Sequence, residues 1–143
     1  MTTPIKVLIV DDERLICNSL ELAINAEVDM EVIATSQNGL DAVKDIEQFK
    51  PDVVLMDIRM PVMDGITAIK KIRAHNTEVI ILILTTFNED QYVIEGLANG
   101  ANGYLLKRAQ YTQLLQSIRD AMKGQYFLPV EVAARLVTFL HNK

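Results

Sequence analysis

Short apolar runs alternate along this chain with stretches whose apolar residues return every three or four positions. The first run is Ile5-Lys6-Val7-Leu8-Ile9-Val10, and Asp11-Asp12 ends it. Over 14–26, Ile16, Leu20, Ala23 and Ile24 share one helical face. Residues 31–35 predict a second strand. Leu40, Val43 and Ile46 mark a second helix, which cannot continue through Pro51. Residues 52–56 predict a third strand with Asp57 at its C-terminal end, followed by a loop over 61–65 and a third helix carrying Ile66, Ile69 and Ile72. The strongest strand is 79–84, apolar throughout and bounded by Thr85-Thr86. A fourth helix is expected over 89–99. Gly100 and Gly103 then flank a turn before a fifth strand at 104–106. Leu114, Leu115, Ile118 and Met122 mark a fifth helix, which Gly124 ends. Beyond it, Gln125-Tyr126-Phe127-Leu128-Pro129 reads as a connector. Val132, Ala133, Leu136, Val137 and Leu140 form one more helical stripe.

Strands that are apolar on both faces require helices on both sides of a parallel sheet. Five βα units in series predict an α/β, doubly wound, five-stranded parallel sheet with five flanking helices and an extra C-terminal helix. Such folds hold their ligands at the C-terminal ends of the strands.

Composition narrows the field. The 143 residues are 50% hydrophobic and 23% charged, which suits one folded domain. A net charge of −5 argues against generic attraction to nucleic acid. No apolar stretch approaches the roughly 18 residues of a membrane span. Met1-Thr2-Thr3-Pro4 lacks the plan of a signal peptide. A cytoplasmic protein without membrane contact is expected. Cys17 is the one cysteine, so an intrachain disulfide is excluded, and its helical position suits a core residue rather than a reactive thiol. His75 and His141 are too far apart in sequence to suggest a ligand pair. The methionines read as packing residues. Lys70-Lys71-Ile72-Arg73 reads as the solvated face of the third helix.

The polar residues at strand ends carry the candidate chemistry. The first strand ends in Asp11 and Asp12, the third in Asp57, the fourth in Thr85, and Lys107 follows the fifth. A parallel sheet brings all five to one edge. At about 4 Å and an effective dielectric near 20, each pair of carboxylates costs about 4 kcal/mol. Lys107 offsets part of that, and a hard divalent cation would offset the rest, with Mg²⁺ suited to few carboxylates plus water and phosphate oxygens. Asp57 is then the candidate nucleophile toward phosphorus, with Lys107 and Thr85 placed to meet phosphate oxygens. Taken singly, each residue has a plainer use. Asp11 or Asp12 would serve as a helix cap, Asp57 as a turn residue, Thr85 and Thr86 as strand-end caps, and Lys107 as a solvated lysine. Their coincidence at four strand ends is what points to chemistry.

Together these residues resemble a bacterial response-regulator receiver domain. The resemblance is carried by Val10-Asp11-Asp12-Glu13, by Leu55-Met56-Asp57-Ile58-Arg59-Met60-Pro61-Val62-Met63-Asp64-Gly65, by Leu84-Thr85-Thr86-Phe87 and by Gly100-Ala101-Asn102-Gly103-Tyr104-Leu105-Leu106-Lys107. It implies a flavodoxin-like sheet in the order 2-1-3-4-5. Asp57 would accept a phosphoryl group from a sensor histidine kinase. Asp11, Asp12, Asp57 and the backbone carbonyl of Arg59 would hold Mg²⁺, or Mn²⁺ in its place. Thr85 and Lys107 would contact the phosphate, Tyr104 would turn inward when Thr85 moves, and Thr86 and Phe87 would be secondary positions. No enzymatic turnover is implied beyond Mg-dependent self-dephosphorylation.

Leu84-Thr85-Thr86-Phe87 and the stretch 124–129 look like the NarL/FixJ (LuxR-type) subgroup, in which a helix-turn-helix domain follows the receiver. The expectation is a receiver over 1–123, with 124–143 a linker and helix leading to an absent C-terminal effector domain through which DNA would be bound. A stand-alone receiver is the other reading. The resemblance also implies a phosphorylation-dependent homodimer, through either the first and fifth helices or the face of the fourth and fifth. Arg108 follows Lys107 where many receivers have proline. Arg59 and Phe87 stand where water would approach the phosphoryl group, so their bulk is expected to tune its loss. Two competing readings are an aspartyl-phosphate phosphatase and an unphosphorylated pseudo-receiver. The first lacks the needed Asp-x-Asp pair, and the full acidic set with Lys107 speaks against the second.

Overall fold

The computed structural model describes residues 3–86, 90–126 and 128–142. The strands are β1 (Ile5–Val10), β2 (Met30–Ser36), β3 (Val53–Asp57), β4 (Ile80–Thr85) and β5 (Gly103–Leu106). The helices are α1 (Arg14–Asn25), α2 (Gly39–Phe49), α3 (Gly65–His75), α4 (Asp90–Ala98), α5 (Tyr111–Met122) and α6 (Val130–His141). All strand pairs are parallel, in the order β2-β1-β3-β4-β5. The alternating pattern predicted the doubly wound parallel sheet, and its strand order is the flavodoxin-like one that the receiver resemblance implied.

Period-two alternation divides the core in two. Val7, Ile9, Val53, Leu55, Leu82, Leu84 and Leu105 face α1 and α5, where they meet Cys17, Leu20, Ile24, Leu114, Leu115 and Ile118. Leu8, Val10, Val54, Met56, Ile81 and Ile83 face the other way, onto Ala42, Ile46, Ile69, Ile72 and Val93 of α2, α3 and α4. Each residue of β3 is therefore buried, whichever face it takes.

The element ends differ from expectation by a residue or two, with local causes. β4 begins at Ile80 rather than Val79, because the Asn76 side chain accepts hydrogen bonds from the N–H groups of Glu78 and Val79 and holds that segment in a turn. It extends to Thr85, which pairs with Leu106 and whose carbonyl accepts from the N–H of Lys107. α2 ends at Lys50 in the left-handed region (φ 52°), one residue before Pro51. The expected start of the fourth helix, at Glu89, lies outside the described residues, as does Phe127 of the connector.

One expectation is corrected. Arg73 is not part of a solvated face. Its guanidinium donates to the carbonyls of Gly100 (2.8 Å) and Asn76 (3.1 Å) and to Asn102 Oδ1 (2.8 Å). Asn102 Oδ1 also accepts from the N–H of Ile81, so α3 is tied to the turn that feeds β5. A Cβ on Gly100, whose φ is +119°, would come within 2.7 Å of the Arg73 side chain. Lys70 and Lys71 are exposed as expected.

Candidate phosphoacceptor and metal site

β1 is flanked by β2 on one side and β3 on the other, so the strand order reverses there and a crevice opens at the C-terminal ends of β1 and β3. Asp11 and Asp57 stand at that crevice, both buried, with Asp12 exposed at its rim. One carboxylate oxygen from each of the three lies within 4.8 Å of the others. This convergence is what the strand-end pattern predicted.

Neither Asp11 nor Asp12 caps α1 in the ordinary way. Glu13 holds the N-cap position and makes no side-chain cap bond. Asp11 Oδ1 instead accepts from the N–H of Glu13 (2.9 Å). Its Oδ2 is buried and has no partner of good hydrogen-bond geometry, although the Lys107 ammonium lies 3.0 Å away. Lys107 also reaches Asp57 Oδ1 at 3.1 Å and Glu13 Oε1 at 3.8 Å. The side chain of Lys107 is only 11% exposed. It is turned inward by a tight turn in which the N–H of Ala109 donates to the carbonyl of Leu106. Arg108, in the place of the usual proline, points to solvent. Glu13 was not foreseen as a partner, although its position directly after the aspartate pair was a signal.

One cation thus serves three carboxylates. Burial first, and then the charge of Asp11, push the Asp57 pKa up to about 7, against the opposing pull of Lys107. Burial acts to lower the Lys107 pKa, but Asp57 and Asp11 outweigh it and the net shift is upward. The buried Asp11 oxygen without a well-aligned donor and the all-oxygen donor set fit a hard divalent cation.

Asp57 is held asymmetrically. Oδ1 accepts from the N–H of Ile58 (2.9 Å) and faces Lys107. The loop that follows is pinned closely beneath it: the N–H of Gly65 donates to the carbonyl of Ile58 at 2.7 Å, and a Cβ on Gly65 would collide with the Asp57 carbonyl oxygen. Within that loop the N–H of Met63 donates to the carbonyl of Pro61 (2.7 Å) around Val62, which takes φ 70°. A β-branched residue there is strained, and the strain sits five residues from the phosphoacceptor candidate. Asp64 closes the loop by capping α3, its Oδ1 accepting from the N–H of Thr67.

The remaining predicted residues ring this centre. Thr85 is buried, and its hydroxyl donates to the carbonyl of Thr86 (3.0 Å). Tyr104 is half-buried against the α3–α4 side of the core. The Arg59 guanidinium stacks over the Tyr92 ring at 4.8 Å, a contact with no sequence signature. Phe87 lies outside the described residues.

Cys17 is buried as expected, and its thiol donates to the Asp11 carbonyl. Burial first, and then the nearby Asp11 charge, raise its pKa to about 11. In the native protein at neutral pH, iodoacetamide is expected to leave Cys17 unmodified, while the unfolded chain reacts at the rate of a free thiol. Equal rates in the two states, followed by mass spectrometry, would contradict the burial.

Comparison with known proteins agrees with this geometry. Residues 7–119 match the family model of the response regulator receiver domain. The oxygen regulatory protein NreC of Staphylococcus aureus is 39% identical over 139 residues, covering 96% of this chain and 64% of its own length. This chain therefore spans a little under two-thirds of that relative. Among solved structures, the signal receiver domain of NarL from Mycobacterium tuberculosis superposes with a TM-score of 0.82 at 28% identity, covering 87% of this chain and 100% of the other. A LuxR-family DNA-binding response regulator from Staphylococcus aureus gives 0.75 at 31% identity, covering 80% and 96%.

Proposed function

Because the chain belongs to the response regulator receiver-domain family, in its NarL/LuxR-type branch, we propose that Asp57 accepts a phosphoryl group from a phosphohistidine on a sensor kinase. The observation that carries this reading is the Lys107 ammonium between Asp11 Oδ2 and Asp57 Oδ1, inside a cluster of three carboxylates. That arrangement also disfavours a pseudo-receiver, which has no use for an acidic cluster with so little compensation.

With Oδ1 engaged by Ile58 and Lys107, Oδ2 of Asp57 is the attacking atom. An O–P bond forms as the P–N bond of the donor breaks, and the leaving imidazole keeps the electron pair and takes up a proton. Lys107 transfers its hold from Asp57 Oδ1 to a phosphoryl oxygen. Thr85 gives up its bond to the Thr86 carbonyl and donates to another. Asp11, Asp12, Asp57 and the Arg59 carbonyl are the groups that would hold Mg²⁺, or Mn²⁺, whose charge would neutralise that of the entering group. Water would later attack phosphorus, breaking the O–P bond to release inorganic phosphate and return Asp57 as a carboxylate, without metabolic turnover; the same residues would hold Mg²⁺, which would supply charge neutralisation.

We take 1–123 as the receiver unit and 124–143 as the connector to a DNA-binding output domain within the extra length of the relatives, acting in the cytoplasm. No helix among the described residues is long and apolar enough to cross a membrane. For a phosphorylation-dependent homodimer, the α1–α5 face is favoured over the α4–α5 face. Leu15 and Leu22 of α1 are 77% and 76% exposed, which gives that face apolar surface to bury in a dimer.

The test is direct. Incubated with acetyl phosphate and Mg²⁺, the chain is expected to gain the mass of one phosphoryl group, labile to hydroxylamine and blocked by chelation of the metal. A chain that gains no mass under these conditions is not a phosphoacceptor.

A further inference from the structure

Residues 36–39, which join β2 to α2, touch both halves of the cation site without contributing a ligand to it. On one side the Ser36 carbonyl accepts from the N–H of Asp11 (3.0 Å). On the other the N–H of Gly39 donates to the carbonyl of Met63 (2.8 Å), in the loop that leads from Asp57 past Arg59 to α3. Asp11 and that loop follow different strands, and this turn bridges them.

The Gly39 contact has no room for a side chain. A Cβ there would stand 2.7 Å from the Met63 carbonyl oxygen, 2.8 Å from that of Asp64 and 3.0 Å from Ala68 Cβ. Two of these are backbone atoms and the third belongs to a fully buried residue of α3, so none can swing aside as a flexible side-chain end would. The attraction has a simple source. Gly39 opens α2, where N–H groups have no acceptor within the helix and the helix end is partly positive. The Met63 carbonyl supplies the acceptor.

The turn is itself braced. Ser36 is buried, and its hydroxyl donates to Asp45 Oδ2 of α2 (2.7 Å). Asn38 caps α2, its Oδ1 accepting from the N–H of Asp41 (2.8 Å). The loop, by contrast, does not hold its own shape. Val62, at φ 70°, is in a conformation that a β-branched residue does not adopt from local preference. Contacts impose it at two points: Gly65 bonds to the Ile58 carbonyl beneath Asp57, and Gly39 bonds to Met63. Arg59 lies between Ile58 and Met63, the two fixed points.

We infer that Gly39 is a positioning residue for the cation site. By seating the Met63 carbonyl on α2, while Ser36 holds Asp11, it fixes where the Arg59 carbonyl stands relative to Asp11 and Asp57. The inference rests on the reading of those groups as the holders of the cation. Gly39 itself touches neither cation nor phosphoryl group. The need for accuracy comes from the ion. Mg²⁺ demands near-octahedral ligands at about 2.0–2.1 Å, whereas Ca²⁺ accepts a wider and more flexible shell. A displaced loop therefore penalises Mg²⁺ more than Ca²⁺.

Calorimetric titration of the whole chain with Mg²⁺ and with Ca²⁺ tests this. Gly39→Ala is expected to weaken Mg²⁺ binding roughly tenfold, the scale typical of groups that orient metal ligands from outside, and Ca²⁺ binding by a clearly smaller factor. Ser36→Ala, which removes only the bond to Asp45, is expected to act in the same direction but less strongly. Ile46→Val is the control for stability. It thins the core under α2 away from the turn, so it should lower resistance to urea and leave Mg²⁺ affinity unchanged. Unchanged Mg²⁺ affinity in whichever of Gly39→Ala and Ser36→Ala folds overturns the inference and leaves the receiver reading standing. So does a loss common to Mg²⁺ and Ca²⁺, or a matching loss in Ile46→Val. A parent chain that binds no Mg²⁺ removes the cation site itself, and the inference with it.

Discussion

Asp57→Asn is expected to gain no mass from acetyl phosphate and Mg²⁺ under conditions that phosphorylate the parent chain fully. The loss is complete because the substitution removes the nucleophile. An amide oxygen carries no formal charge and cannot form a stable acyl phosphate. The geometry makes the comparison clean. Asparagine has nearly the same shape, and its oxygen can keep the bonds that Asp57 Oδ1 makes to the Ile58 N–H and to Lys107. The rest of the site should stay in place, so loss of labelling reports chemistry rather than collapse. Labelling that persists at the parent rate would move the acceptor elsewhere.

The same substitution has a second large effect, on stability and its dependence on pH. The Asp57 pKa is about 7 in the folded protein, against an ordinary carboxyl value of about 4 in the unfolded chain. Between these values the folded state binds a proton that the unfolded state does not. The resulting stabilisation is fully present below about pH 4 and is lost as pH rises through about 7. Metal-free protein is therefore expected to be less stable at pH 8 than at pH 5, by roughly 2–4 kcal/mol from this group. Asp57→Asn removes the proton uptake, so its stability should change little over that range and exceed that of the parent at pH 8. Mg²⁺ should restore the parent at pH 8 by supplying positive charge to the ionised cluster. Urea denaturation at the two pH values, with and without metal, measures all of this. A parent chain that becomes more stable from pH 5 to pH 8 without metal would contradict the burial and like-charge repulsion at Asp57.

Much of this architecture was legible in the residues. Strands such as 79–84 are apolar on both faces, and only a covered parallel sheet accommodates that. Once the sheet is parallel, Asp11, Asp57, Thr85 and Lys107 must share an edge, and the structure puts them there. What could not be read were contacts between parts of the chain far apart in sequence. Arg73 looked like any lysine-rich helix face until Gly100 and Asn102 arrived as acceptors. The stacking of Arg59 on Tyr92 depends on how α4 lies, which no local periodicity encodes. The packing of α6 along α4 was equally invisible. Its stripe announced an amphipathic helix but not the surface that would receive it.

The division of the sheet into two cores has a consequence for how the domain tolerates change. Leu8 and Ile9 are neighbours in the chain and both fully buried, yet they look into different halves of the molecule. The losses caused by truncating each should sum almost independently, because they share no cavity and few neighbours. The α1–α5 half can therefore be remodelled while the half carrying α3 and α4 keeps its packing. Each strand acts as a partition between two separately evolvable interiors.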